Sequence, residues 1–146
     1  MAFEGYLTDV KEEKINYTAS KLTFTLKGYK TTAEKIITLT TSPTTLNAVG
    51  NLPTDYVIVK ITPTANVSEL TVAIGTTEFK LESLVAETEY VVDGAKSKAY
   101  YLSNSREVSK FADFSGDFPQ LQSGANTITY SSDNVVIQIK YKGRWI

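Results

Sequence analysis

Apolar and polar residues alternate over several stretches of the chain. In LTFTLKGY, residues 22–29, the side chains of Leu22, Phe24 and Leu26 fall on one face, and polar side chains fall on the other. A period of two with many Thr, Val, Ile and Tyr residues is typical of half-buried β-strands. The same pattern predicts further strands at residues 34–41, 56–62, 69–74, 78–83, 89–93, 99–102, 126–130 and 134–141.

The spacing of these strands predicts the fold class. Strands recur about every 8–12 residues with turn residues between them, as in antiparallel sandwiches and barrels. Gly75 marks a short hairpin turn between two of the predicted strands. We therefore expect an all-β fold, an antiparallel two-sheet β-sandwich with little helix.

One segment carries a weak helix signal. In SREVSKFADF, residues 105–114, Ser105 is a candidate N-cap, and Val108, Phe111 and Ala112 fall on one side of a helix. The segment is short and lies among strand-like sequences, so we expect only a short helical turn there.

The longest stretch dense in turn residues is residues 41–56, TSPTTLNAVGNLPTDY. It is either a linker between a small N-terminal hairpin and the sandwich, or one strand at residues 45–48 held between two turns. The second interpretation is favoured because Leu46 and Val49 have the pattern of buried residues.

Composition removes several classes of function. The chain of 146 residues has no Cys and no His, which excludes disulfides, thiolate metal sites and the commonest general base. Its formal charge is -1 and it has no long basic run, so nucleic acid is not an expected partner. No apolar run is long enough to span a bilayer, so a membrane is not expected either.

Motifs of enzymatic chemistry are also missing from the sequence. It contains no G-x-S-x-G, P-loop, zinc-binding pair or calcium loop, and its carboxylates are scattered. Strands distant in sequence can still bring two carboxylates together, as in glycosidases. Because nothing marks such a pair, we expect no enzyme activity, no catalytic or metal-ligating residues and no cofactor.

Aromatic residues near the end of the chain are the candidates for binding. Tyr100, Tyr101 and Trp145 are candidate interface or sugar-stacking residues. The two adjacent tyrosines point to opposite faces of a strand, so at most one lies in the core. Trp145 is the only tryptophan, and the tail that carries it is expected to be fixed on its own sandwich or on a neighbouring protein.

The segment GDFPQLQSGANTITY, residues 116–130, has the features of a structural corner. Pro119 restricts Phe118 to an extended conformation, so that Phe118 and Leu121 anchor the segment on the core. Gly124 permits a left-handed turn, and Asn126 can hydrogen-bond the turned backbone. We expect a positive φ at Gly124 and a buried Phe118.

This corner also carries a resemblance. GDFPQLQSGANTI, followed by a strand and the terminal YKGRWI, resembles the closing part of distal tail proteins of long-tailed phages that infect Gram-positive bacteria. The matching residues are Phe118, Pro119, Leu121, Gly124, Asn126, Ile128, Arg144 and Trp145.

Two upstream segments extend the resemblance to residues 41–146. They match the family's pattern at Asn47, Gly50, Ile61, Val92, Asp93 and Tyr100. The resemblance implies two parts, namely an N-terminal β segment at residues 1–40, similar to the end of the family's ring domain, and a galectin-like β-sandwich at residues 41–146. Residues 51–53 depart from the Pro-rich entry that is usual in the family.

The resemblance also implies a function. Distal tail proteins are structural components of the tail tip, which link the tail tube to the host-adhesion device. The implied partners are the tail tube, the tape-measure or tail-associated protein, a receptor-binding protein and further copies in a hexameric ring. The implied location is the virion, at the tail tip or baseplate, after expression in the bacterial cytoplasm. The alternative is a carbohydrate-binding module that recognises host cell-wall glycans.

Overall fold

A computed structural model of the chain describes residues 30–146. These residues form thirteen strands and one turn of 3-10 helix at Phe111–Asp113. The strands are β1 (Lys30–Thr31), β2 (Lys35–Leu39), β3 (Thr44–Ala48), β4 (Val57–Pro63), β5 (Val67–Ile74), β6 (Thr77–Leu84), β7 (Tyr90–Asp93), β8 (Lys98–Ser103), β9 (Arg106–Ser109), β10 (Phe114–Gly116), β11 (Gly124–Tyr130), β12 (Val135–Tyr141) and β13 (Arg144–Trp145).

Two antiparallel sheets pack as a sandwich. One sheet has six strands in the order β9-β8-β7-β4-β12-β2, and the other has five in the order β10-β6-β5-β11-β3. The short strands β13 and β1 form a separate two-stranded sheet. The predicted fold class, an antiparallel two-sheet sandwich with little helix, is confirmed.

The alternation in the sequence explains how the core forms. In β4 the side chains of Val57, Val59 and Ile61 are fully buried, whereas the residues between them face outward. In β12 the side chains of Ile137 and Ile139 are buried in the same way. Burial of each such side chain stabilises the fold by roughly 1.5–3 kcal/mol. The apolar side chains packed between the two sheets are therefore the main source of stability.

Consecutive strands close each side of the sandwich. Strands β2 and β3 follow each other along the chain and form the edges of the two sheets on one side. Strands β9 and β10 do the same on the other side, with the 3-10 turn between them. The chain therefore crosses from one sheet to the other within residues 106–116, and that crossing holds the candidate site.

The strands predicted within the described residues are confirmed, including one in the segment 41–56, where Thr44–Ala48 is a strand. The strand predicted at residues 22–29 lies outside the described residues. The predicted boundary between residues 40 and 41 stays a prediction, although β2, which precedes it, pairs with β12. Residues 31–145 form one compact unit.

Three expectations were wrong in detail. The short helical turn expected within residues 105–114 is present at Phe111–Asp113, but it does not begin at Ser105. Residues 106–109 form a strand instead, because Asn104 and Ser105 adopt positive φ and fold β9 back onto β8. Val49 is 37% exposed, since the chain leaves the sheet after Ala48. Phe118 is only partly buried, because it stands in an aromatic stack that opens to solvent.

Candidate functional site

The hairpin of β8 and β9 creates one polar and aromatic surface. Its register places Glu107 opposite Leu102 and Ser109 opposite Tyr100. Because side chains alternate across a strand, Tyr100, Glu107 and Ser109 share the outer face of the six-stranded sheet with Lys98. The inner face of β8 takes Ala99, which is buried in the core.

A groove of about 450 Å³ lies over this surface. We call it the Phe111 groove, after the aromatic residue at the start of the 3-10 turn. Its lining residues are Ser97, Lys98, Ala99, Tyr100, Glu107, Ser109 and Phe111. The groove is open to solvent and combines two aromatic side chains with two serine hydroxyls and an ion pair, which suits binding to another molecule.

A stack of phenylalanines fixes Phe111 beside the groove. The ring of buried Phe79 lies 5.8 Å from that of Phe114, and the ring of Phe114 lies 4.6 Å from that of Phe118. The ring of Phe111 stacks on two of these rings, with its centre 5.9 Å from that of Phe114 and 6.2 Å from that of Phe118. Phe111 is nevertheless 56% exposed. The stack therefore presents one large apolar ring to solvent in a fixed position.

The charges of the groove are balanced. Lys98 Nζ lies 2.7 Å from Glu107 Oε1, and this hydrogen bond raises the pKa of the Lys98 ammonium. Burial raises the pKa of the Tyr100 hydroxyl, and the carboxylate of Glu107 adds to that shift. Lys98 therefore stays cationic and Tyr100 stays neutral at neutral pH. The exposed ion pair itself contributes little to stability.

The structure separates the three aromatic residues chosen from the sequence. Tyr100 lines the groove, whereas Tyr101 packs against the core, with its ring 5.9 Å from that of Tyr90. Trp145 is 43% exposed on β13 and is not among the residues that line the groove. The sequence reasoning missed Phe111 as a site residue. The sequence feature that could have indicated this residue is the group of three phenylalanines within residues 111–118.

The residues of the corner segment hold loops together. Asn126 is 2% exposed, and its Oδ1 accepts a hydrogen bond from the Gln122 N–H. Its Nδ2 donates to the carbonyl oxygens of Gln122 and Gly124. Gly124 has a φ of 84°, so the predicted positive φ is confirmed. Pro119, Leu121 and Ile128 are buried around this corner.

Two further motif residues meet at the C-terminus. Gly50 has a φ of 106°, and a Cβ added there would lie 2.3 Å from the carbonyl oxygen of Arg144. The guanidinium of Arg144 donates a hydrogen bond to Asp55 Oδ1 at 2.7 Å. The N–H of Asn51 donates to the same Arg144 carbonyl. Gly50 and Arg144 therefore fasten β13 to the segment that precedes β4.

Other kinds of site are not found in the part of the chain that the structure describes. Among residues 30–146, no group of three or more His, Cys, Asp or Glu side chains could hold a metal ion. Within the same residues, no helix has the length and apolar character to cross a membrane. The chemistry of the Phe111 groove is that of a binding surface with an exposed aromatic ring.

A family model covers most of this fold. The model described as the C-terminal domain of a siphovirus-type tail component matches residues 49–145, which is more than half of the chain. The chain belongs to this family. The resemblance to phage tail proteins seen in the sequence is therefore confirmed.

A solved structure of the same kind agrees with the fold. The chain is similar to the crystal structure of the SPP1 Dit protein, gp 19.1, with a TM-score of 0.61 and 14% sequence identity. That protein is described as a paradigm of the hub adsorption apparatus in phages that infect Gram-positive bacteria. The match covers 80% of this chain and 49% of SPP1 Dit, so the chain spans about half of that protein's length. No curated protein matches the chain.

Proposed function

We propose that this tail component is a distal tail protein, whose sandwich joins the tail tube to the host-adhesion device by protein–protein assembly. The observation that carries the proposal is the family match over residues 49–145, which spans most of the sandwich. The partners are other proteins of the same tail, namely the tube, the tape-measure or tail-associated protein and the receptor-binding protein. The location is the tail tip of the virion, and a hexameric ring is the proposed form of the whole assembly.

The Phe111 groove is the proposed docking surface. Binding energy at protein interfaces concentrates in a few residues, and large rings held in place before binding lose little conformational entropy. Phe111 meets both conditions, since it is 56% exposed and stacks on two other rings. The groove beside it accepts an apolar side chain of the partner, and the Lys98–Glu107 pair forms a polar rim.

The docking surface is tested by replacing Phe111 with alanine. We expect Phe111→Ala to weaken binding to at least one purified protein of the same tail by tenfold or more, which corresponds to about 1.4 kcal/mol. Biolayer interferometry against the tube, tape-measure and receptor-binding proteins measures the change. We expect the weaker binding because the variant lacks the exposed ring. Circular dichroism checks that the variant is still folded.

Val85→Ala is the matched control, because Val85 is also 56% exposed but does not line the groove. We expect its affinity to equal that of the unaltered chain. Equal losses in both variants would contradict the groove as the docking surface. Failure of all three tail proteins to bind the unaltered chain would contradict the proposed function.

A carbohydrate-binding role is the alternative, and the aromatic residues disfavour it. A sugar site needs an aromatic face beside polar groups that converge on hydroxyls. Tyr100, Tyr101 and Trp145 do not converge, because Tyr101 faces the core and Trp145 lies outside the groove. The groove itself carries no Asn, Arg or His side chain.

We also propose that the protein is not an enzyme, and both points can be tested together. Titration with a panel of galactosides and cell-wall glycans is expected to give no saturable signal, and mass spectrometry is expected to find no cleaved glycan. Saturable binding that is lost in Tyr100→Ala would establish the carbohydrate module instead. Glycan cleavage that is lost on replacing one Asp or Glu would establish an enzyme.

A further inference from the structure

Within residues 30–146, strand β2 forms an edge of the six-stranded sheet. Its strand partner among the described residues is β12, through pairs such as Ile37 with Ile139. Hydrogen bonds from Lys142 N–H to the Tyr56 carbonyl, and from Thr64 N–H to the Asn134 carbonyl, fix which residues of β12 bond to β4. The backbone N–H and C=O groups of even-numbered residues in β12 therefore point to β4. Because alternate residues of a strand direct these groups to opposite sides, the odd-numbered residues of β12 bond to β2.

It follows which backbone groups of β2 face away from the sheet. Lys35, Ile37 and Leu39 pair with odd-numbered residues of β12 and direct their N–H and C=O groups toward it. Ile36 and Thr38 direct theirs outward. Ile36 is also 57% exposed on the outer face of the sheet. In the part of the chain that the structure describes, the edge therefore offers two donors, two acceptors and an apolar side chain.

The other sheet edges have features that oppose strand addition. Strand β9 has four residues and carries adjacent charges at Arg106 and Glu107. Strand β10 has three residues and ends at Gly116, which has a positive φ. Strand β3 begins directly after Pro43. Charges, prolines and short lengths are the usual protection of sheet edges.

Strand β2 itself contains no proline and no adjacent charges, and it is self-complementary. It has five residues and one charged residue, Lys35, at its start. If a second copy of β2 lies antiparallel with the two-fold axis at Ile37, then Ile36 of each copy pairs with Thr38 of the other. Ile37 meets Ile37 on the axis, and Lys35 meets Leu39. This register aligns all outward N–H and C=O groups and opposes no like charges.

We infer that two copies of this chain associate through β2, joining two six-stranded sheets into one continuous antiparallel sheet across a two-fold axis. The inference does not depend on the proposed docking function of the Phe111 groove, which lies at the opposite edge of that sheet. A single strand pair buries less than the roughly 1,200–2,000 Å² of stable complexes. The dimer is therefore weak and forms at high local concentration.

Cysteine trapping tests the register directly, because the full chain has no Cys. Ile36→Cys and Thr38→Cys place thiols on exposed positions of the outer face. Across the two-fold axis, position 36 of one copy lies opposite position 38 of the other, at a Cα separation of about 5.5 Å. That distance suits a disulfide. In a dimer of two identical variants, the two Cys residues are diagonal neighbours rather than directly opposite. Their separation of about 7–8 Å is less favourable for a disulfide.

Under mild oxidation, an equal mixture of the two variants is expected to give covalent dimers at least about tenfold faster than either variant alone. A mixture of Thr38→Cys with Val136→Cys is the control, because Val136 is 46% exposed on the same face but lies outside β2. Sedimentation of the unaltered chain should show a dimer fraction that rises with concentration, and Ile36→Lys should remove it.

Two results would overturn the inference. One is a mixed sample that reacts no faster than the single variants or the control mixture. The other is preferential reaction of Thr38→Cys with Glu107→Cys, which would mean that copies associate head to tail through β2 and β9. Circular dichroism of each variant establishes that the sandwich is folded.

Discussion

Replacing Gly50 with alanine is expected to lower the free energy of unfolding by about 2–5 kcal/mol. Two effects add at this position. Gly50 has a φ of 106°, where a residue with a Cβ is strained by roughly 1–2 kcal/mol. The added Cβ would also lie 2.3 Å from the carbonyl oxygen and 2.8 Å from the nitrogen of Arg144, and such overpacking costs typically 1–3 kcal/mol. Urea denaturation of the purified chain measures the loss.

Gly124→Ala separates the two effects. Gly124 has a φ of 84°, but a Cβ built there has no atom within 4 Å. Only the backbone strain of roughly 1–2 kcal/mol is therefore expected. If both variants lose the same free energy, the contact between Gly50 and the backbone of Arg144 is not tight. If Gly50→Ala loses clearly more, β13 is held against the segment before β4 as described.

Much of the sandwich could be predicted from the sequence because its strands alternate strictly. In β4 and β12 the buried residues recur at every second position, which is the pattern of a strand with one buried face. Strand β9 could not be predicted in this way. All four of its residues are exposed, so burial imposes no pattern on REVS, and its conformation depends on pairing with β8.

The candidate site was harder to predict than the fold. Tyr100 was identified because tyrosine is favoured at interfaces, and it does line the groove. The sequence places Phe111 on one side of a short helical turn together with Val108 and Ala112, and this pattern does not mark it as a binding residue. Its exposure results from the stack on Phe114 and Phe118, which forms only after the chain crosses between the sheets. No local pattern contains that information.

The motif residues show the same division. The role of Asn126 in a turn could be expected from its neighbours Gly124 and Gln122. The reason for a glycine at position 50 could not be predicted from the sequence. The atoms that exclude a side chain there belong to Arg144, which is distant in the sequence. Contacts between residues that are distant in sequence depend on the whole fold. A motif in a single sequence can therefore mark Gly50 as important without showing which atoms require a glycine there.

Asn126→Ala is the second variant with a large expected effect, a loss of about 2–4 kcal/mol in the free energy of unfolding. Asn126 is 2% exposed and makes three hydrogen bonds of 2.9–3.0 Å to the backbone of Gln122 and Gly124. Alanine removes all of them and leaves backbone groups at the corner without partners. Thermal and urea denaturation measure the effect, and Thr127→Ala is the control, because Thr127 is an exposed neighbour on β11.

Asn126→Asp tests whether the amide donor is the reason for this effect. An ionised carboxylate at position 126 still accepts from the Gln122 N–H, but it faces the two carbonyl oxygens that now receive the Nδ2 hydrogens. Burial and these carbonyls raise the pKa of the introduced carboxyl above its ordinary value of about 3.9. The folded state then binds a proton more tightly than the unfolded state. The stability deficit relative to the unaltered chain is therefore largest at pH 7 and shrinks as the pH falls toward about 4, where the protonated carboxyl donates one hydrogen in place of the two that the amide donates. Denaturation of both proteins at each pH gives the difference. A deficit that stays constant over this range would show that the side chain of Asn126 acts by filling space at the corner and not by donating to its carbonyls.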